Sequence, residues 1–325
     1  MKMVSAAVAL AAMVALAPEA RAEWKPTKTI TIVSPFTGVG PAVIVGQTLA
    51  KHLGDRLGVN VIMEPRQSAD GVLGTRAMIN EAPDGYTFVL ATNTSTAGRQ
   101  FWKNPDATYD LKKLDMILLA GEAFPVLVVS ANSSHRTVKD LVEAAKARPK
   151  EKPLQCGFGT LTNRIVLLAF AKAAGIAIQD VQYRGESEQL IGGIETRGEI
   201  ECAVLTGTNG IERIAAGTLR GLAVLGGERT SFAPSLPTLA ESGVKGIETR
   251  IFIGLAAPAG TPKEVGERIR KEVRAILEDP KVREIFRANS LIPRFGDGKE
   301  LQRRIEDESV MWAAVIKLYN LPQRD

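Results

Sequence analysis

The strongest constraint on the fold is a unit that the sequence spells out twice: an apolar, β-branched run breaks off in a cluster of Gly, Ser and Thr and hands over to helical spacing. The first unit opens with Lys28-Thr29-Ile30-Thr31-Ile32-Val33 and stops at Ser34-Pro35-Phe36-Thr37-Gly38-Val39-Gly40. Ile44, Thr48, Leu49, His52 and Leu53 then recur near helical spacing up to Gly54. Residues 59–64 read as a second strand, 77–80 as part of a helix ending near Pro83-Asp84-Gly85, and 86–91 as a third strand running into Thr92-Asn93-Thr94-Ser95-Thr96. Strand, glycine turn, helix, strand is the alternation that builds a parallel sheet with helices on both faces. In such sheets ligands collect at the carboxyl ends of the strands.

The pattern then restarts. Residues 124–130 are apolar and extended, and Thr137 opens a helix that Arg148-Pro149 finishes. Leu154-Gln155-Cys156 runs into Gly157-Phe158-Gly159-Thr160-Leu161-Thr162-Asn163, after which 165–174 is helical and Gly175 caps it. Strands follow at 181–183, 200–205 and 219–225, with helices between them. A further extended segment covers 251–258, and two helices, 262–278 and 299–318, close the chain. Two successive α/β units predict a cleft between two lobes, a common place for a small molecule.

The ends and totals agree with that organisation. Residues 1–22 carry an early Lys2, a short apolar run and Ala20-Arg21-Ala22, which reads as a secretory signal peptide and implies an exported mature chain. The remaining chain is too long for one ordinary core and comfortable for two domains. A formal net charge of +5 with acids and bases interspersed excludes a nucleic-acid binder of the usual basic-patch type and suits acidic solutes. Cys156 and Cys202 are the only two cysteines. Export permits a disulfide, but both sit in apolar runs, and the reading favours two buried thiols.

Catalytic equipment is sparse. His52 and His135 are the only histidines, and neither has Cys or carboxylate neighbours at metal-ligand spacing. There is no Gly-x-Ser-x-Gly elbow, and no Lys-Ser or Lys-Thr follows the second glycine loop as phosphate binding would require. No enzyme, cofactor or metal is therefore expected. The glycine loops themselves read two ways: as anion seats made of bare backbone amides at helix starts, or simply as tight strand-to-helix turns. Arg164 and Arg184 lie at the loop regions of the second unit, and Arg suits bidentate carboxylate contact.

The chain resembles, over essentially its whole mature length, the Bug family of periplasmic receptors, the substrate-binding proteins of tripartite tricarboxylate transporters. The residues that carry the match are 32–36 with the loop that follows, Ala82-Pro83-Asp84-Gly85-Tyr86-Thr87, Tyr183-Arg184-Gly185, Ala215-Ala216-Gly217-Thr218-Leu219-Arg220, Leu236-Pro237-Thr238-Leu239-Ala240-Glu241-Ser242-Gly243 and 254–262. Each is weak alone; their order and spacing are specific. The resemblance implies an α/β Venus-flytrap fold of two parallel-type sheets flanked by helices and joined by two crossing strands. Residues 23–125 and 251–325 would form one lobe, the latter with the C-terminal helices, and 126–250 the other. It also implies a small organic acid, mono- or dicarboxylate, held by the loops Phe36, Thr37, Gly38, Val39, Gly40 and Gly159, Thr160, Thr162, Asn163, Arg164. Thr92, Asn93 and Thr94 would form the floor, with Tyr183, Arg184 and Thr206 approaching from the second lobe.

Against that family the first loop reads Gly38-Val39-Gly40 in place of Pro-Gly-Gly. Val43 stands where amino-acid-binding members place an aspartate, which argues against an α-amino acid. The second loop is shorter, which raises Arg164 as a direct ligand. The functional expectation is a monomeric receptor that passes its acid to inner-membrane transporter subunits. The alternatives are a ligand-loaded adaptor that signals to a membrane sensor kinase and an enzyme on the same scaffold.

Overall fold

The computed structural model describes residues 23–321 apart from positions 39, 67–70, 104–107, 150, 187 and 248. The expected signal peptide and the loop residue Val39 thus lie outside the described residues. The chain runs β1 (Ile30–Ser34), α1 (Pro41–Leu57), β2 (Val61–Pro65), α2 (Val72–Met78), β3 (Thr87–Thr92), α3 (Asn93–Thr96) and β4 (Leu114–Ala123). It continues through β5 (Pro125–Ser130), α4 (Val138–Lys146), β6 (Leu154–Phe158), α5 (Leu161–Ala174), β7 (Ile178–Gln182) and α6 (Glu188–Glu195). Next come β8 (Cys202–Thr206), α7 (Gly207–Ala215), β9 (Leu219–Val224) and β10 (Ile251–Pro258). The last elements are α8 (Lys263–Glu278), α9 (Pro280–Ala288), β11 (Ile292–Asp297) and α10 (Gly298–Tyr319).

Two sheets result, one in the order β11-β4-β10-β3-β1-β2 and one in the order β7-β6-β8-β5-β9. Neither is purely parallel, which corrects the sequence expectation. β1 is parallel to β2 and β3, and β6 is parallel to β7 and β8. However, β10 is antiparallel to both β3 and β4, β11 to β4, and β5 to both β8 and β9. Parallel pairing needs a crossover connection, usually a helix. β5 follows β4 directly across Phe124 and begins the second sheet without one, and β10 returns to the first sheet after the long segment from 225 to 250.

Both sheets are covered on both faces, so successive strand residues feed different cores. In the first sheet Ile32, Phe88, Leu90, Ile253 and Leu255 pack against α1, α8 and α9 through Val45, Leu49, Val265, Ile269 and Phe286. Their neighbours Val33, Val89, Ala91, Phe252 and Ala256 face α2 and α10 through Val72, Met78, Leu301 and Ile305. The second sheet divides likewise. Leu127, Val129, Cys156 and Val204 meet α4 and α5, while Val126, Val128, Ala203 and Leu205 meet α6 and α7.

Cys156 and Cys202 are joined in a disulfide, not left as thiols. They are directly registered partners on the adjacent strands β6 and β8, with Cα atoms 4.6 Å apart. That spacing is within reach of a bridge, and the register between distant segments is what the apolar flanks of each cysteine could not reveal.

The lobes are also tied behind the crossings. Ala97, Phe101, Trp312 and Val315 form one apolar cluster with Leu161, Ile165 and Leu168 of α5. Tyr319 near the end of α10 donates its hydroxyl to the Leu168 carbonyl at 2.6 Å. At the crossings, Glu122 is 2 % exposed and accepts from Arg250 at 3.0 Å and Arg304 at 2.8 Å. Asn93 donates to the Arg250 carbonyl at 3.1 Å and accepts from Phe252 N–H at 2.9 Å. The end of β4, the start of β10 and the helix α10 therefore share one buried polar knot.

Candidate binding cleft

A cleft of about 640 Å³ opens at the carboxyl ends of β1, β3, β6 and β8. From the first lobe it takes Phe36, Thr37 and Gly40 of the first loop, the α1 residues Ala42 and Val43, and the Thr92-Asn93-Thr94 corner. From the second it takes Gly159, Thr160, Thr162, Tyr183, Arg184 and Thr206. Of the candidate residues named from sequence, Gly38, Asn163 and Arg164 are not among the lining residues.

Arg164 is turned elsewhere. Its Nε donates to Asp180 on β7 at 2.7 Å, and its guanidinium lies 5.5 Å from the Phe158 ring. The guanidinium is spent on a neighbouring strand, so the reading of Arg164 as a direct ligand is corrected. Arg184 does line the cleft, is exposed, and has no ion-pair partner among the described residues.

Local structure explains how the walls are held. Ser34 at the end of β1 donates its hydroxyl to the Phe36 carbonyl at 2.7 Å, folding the first loop back on the strand. α1 begins at Pro41, which has no N–H to lose, and carries no side-chain cap. The N–H groups of Ala42 and Val43 belong to the first turn, where an α-helix offers no internal acceptor, and both residues border the cleft. The corner after β3 is stiffened by a reciprocal capping box between Thr92 and Ser95. Thr96 bonds the Thr92 carbonyl at 2.6 Å, and buried Tyr109 bonds the Ser95 carbonyl at 2.7 Å. Burial pushes the Tyr109 hydroxyl well above its ordinary range, so it remains a donor.

In the second lobe Thr160 caps α5 by accepting from Asn163 N–H at 3.2 Å. Gly159 is indispensable for its lack of a side chain: a Cβ there would stand 2.3 Å from the Gly185 carbonyl carbon. The second glycine loop therefore packs backbone to backbone on the segment that carries Tyr183 and Arg184. Thr94 and Thr162 meet across the cleft floor with their hydroxyl oxygens 2.8 Å apart.

Glu186 is the residue the sequence reading missed. It lines the cleft, and its carboxylate is surrounded by donors from Asn163, Thr206 and Asn209. Burial pushes this carboxyl above the usual range, against the opposite pull of those hydrogen bonds. The signal available was position: Glu186 stands just past a strand end, in the same loop as Tyr183 and Arg184, where cleft residues gather. Asn163, expected to touch ligand, instead holds Glu186 at 2.7 Å and the Val204 carbonyl at 3.0 Å. Among the described residues no cluster of His, Cys, Asp and Glu could hold a metal ion.

The lobes can thus present helix starts and hydroxyls to a small anion enclosed between them. Comparison with known proteins places the chain in a family. Residues 44–321 match the family described as tripartite tricarboxylate transporter family receptor. Protein BugT of Bordetella pertussis (strain Tohama I) is 28 % identical over 93 % of this chain and 92 % of its own length. A structure of an R. palustris protein with adipate superposes with a TM-score of 0.80 at 26 % identity, over 90 % of this chain and 97 % of that one. The periplasmic binding protein BugD has the same fold, with a TM-score of 0.77 at 24 % identity over 90 % of this chain and 97 % of its own.

Proposed function

Since the chain belongs to the tripartite tricarboxylate transporter receptor family, whose members are solute-binding receptors rather than enzymes, we propose that it captures a small organic acid in the periplasm and delivers it to a tripartite transporter in the inner membrane. In this reading residues 23–125 and 251–325 form the lobe that carries α1, and 126–250 the lobe that carries α5. The expected leader at 1–22 supports export, and no helix among the described residues is long and apolar enough to cross a membrane.

The observation that carries the proposal is the uncapped start of α1 at the cleft. A helix N-terminus bears partial positive charge and free N–H donors, and anions are stabilised there. Thr160 and Thr162 at the start of α5 add hydroxyls from the facing lobe. A carboxylate between them would be bound by both lobes at once, which is how a ligand favours the closed form. The adipate found with the R. palustris relative is consistent with an organic acid here. Val43 gives the cleft an apolar side chain beside the α1 amides, which speaks against an α-ammonium group at that end.

Thermal unfolding in the presence of a panel of small carboxylates tests this. A ligand that binds only the folded protein raises the melting temperature by mass action, by about 2.7 kcal/mol of stability at a hundredfold excess over Kd. A panel that leaves the transition unmoved at high concentration would remove the organic-acid assignment.

A further inference from the structure

We infer that Glu186 makes this cleft select an acid with a single carboxylate and a far end that is uncharged or cationic, and reject dicarboxylates. The inference rests on the organic-acid reading above and narrows its ligand class.

The second lobe has a set of donors at the start of α7 that would suit an incoming carboxylate. They are already spent. Glu186 Oε1 accepts from Asn163 Nδ2 at 2.7 Å, and Oε2 accepts from Asn209 Nδ2 at 2.8 Å. Thr206 N–H is shared between both oxygens at 3.0 Å, and Thr206 Oγ1 donates to Oε2 at 3.0 Å. The next amide, Gly207 N–H, goes to the Phe124 carbonyl at 2.7 Å. These four donors match the roughly four lone-pair positions of an ionised carboxylate. The site is therefore built around the charge that the chain itself supplies.

A ligand group arriving at this end meets a fixed carboxylate and none of those donors. A second carboxylate there would face like-charge repulsion in a partly desolvated space. An uncharged group such as a hydroxyl or amide escapes that repulsion, and an ammonium group is attracted by the fixed negative charge. Charge balance points the same way: among the described residues lining the cleft Arg184 is the only Lys or Arg and Glu186 the only Asp or Glu. The side chains therefore contribute no net positive charge to hold a dianion, while the helix starts of α1 and α5 still seat one carboxylate.

Calorimetric titration of the wild-type protein and Glu186→Gln with two matched series decides the point: the dicarboxylates from succinate to suberate, and the ω-hydroxy and ω-amino monocarboxylates of the same chain lengths. In the wild type the tightest binder is expected among the monocarboxylates, with the dicarboxylate of equal length weaker by roughly tenfold or more. In Glu186→Gln the gap is expected to narrow, chiefly because the dicarboxylates tighten. A wild-type protein that binds a dicarboxylate as tightly as its matched monoacid overturns the inference and leaves the organic-acid reading standing, as does a gap unchanged by Glu186→Gln. Silence from both series with folded protein overturns both together. If Glu186→Gln fails to fold, the wild-type comparison alone decides.

Discussion

Thr94 Oγ1 and Thr162 Oγ1 lie 2.8 Å apart, a buried hydrogen bond between residues of different lobes at the floor of the cleft. Thr94 stands in the corner after β3, and Thr162 in the first turn of α5. The bond joins the two lobes at the cleft, beside the apolar cluster in which Leu161 and Ile165 of α5 meet Ala97 and Phe101. Thr94→Val and Thr162→Val should each weaken ligand binding, and the double variant should be little worse than either single one. The coupling expected from a double-mutant cycle is about 1 kcal/mol. Fully additive losses in calorimetry would show that the two hydroxyls act separately.

The polar knot at the crossings makes a second prediction. Glu122 is buried and bonded to two guanidiniums, Arg250 at 3.0 Å and Arg304 at 2.8 Å. Glu122→Ala removes the shared acceptor and leaves both arginines, which are partly exposed and so partly rehydrated. The loss should be about 2–3 kcal/mol, toward or below the low end for a broken buried pair. Denaturant unfolding measures it, and a change within about 0.5 kcal/mol would show that the knot adds little.

Glu308 on α10 sets a pH dependence. It accepts from Trp312 Nε1 at 2.8 Å, and burial pushes its carboxyl up to about 7. A carboxyl whose pKa is higher in the folded than in the unfolded chain costs stability when ionised. The cost is absent below the unfolded value near 4.5 and grows as pH rises to about 7; above that it is fully present. Glu308→Gln should therefore stabilise the protein at pH 8 by about 2 kcal/mol after discounting for solvent screening, and by little at pH 4. Melting curves across this window check the sign. Equal effects at both ends would mean that the carboxyl titrates as it does in water.

The disulfide closes a loop across 46 positions. By chain entropy such a link stabilises by about 4 kcal/mol, with about 2–4 kcal/mol typical in practice. Cys156→Ala with Cys202→Ala should lower stability by an amount in that range. The change should appear in hydrogen exchange of β6 and β8 before that of β1 and β3, since both cysteines lie in the second lobe. A uniform loss across both sheets would contradict a local role.

What could be read from sequence was what is local. The β-branched runs around Ile32 and Val89 and the breaks of Gly, Ser or Thr after them are short-range signals, and they led to strands and to the cleft-lining corners at Phe36, Thr92 and Thr160. Three things were not local. β4, a central strand with Leu118 and Leu119 fully buried, has no glycine loop and helix after it and was passed over. The antiparallel directions of β5 and β10 depend on how the chain crosses between sheets. The disulfide depends on the register of β6 against β8. At the cleft the same limit applied: Arg164 was read as a ligand because Asp180, its partner, lies on a different element, β7, and Glu186 was not singled out because its donors come from α5, β8 and α7.

The central claim is that an organic acid lies between the lobes with a carboxylate on the start of α1. A crystal structure of the protein with the tightest acid found by titration tests it most directly. The account predicts one carboxylate oxygen within hydrogen-bond distance of Ala42 or Val43 N–H, with Thr160 or Thr162 reaching the same ligand from the other lobe. An acid bound outside the cleft, or held in it by side chains alone with those amides facing solvent, would contradict it.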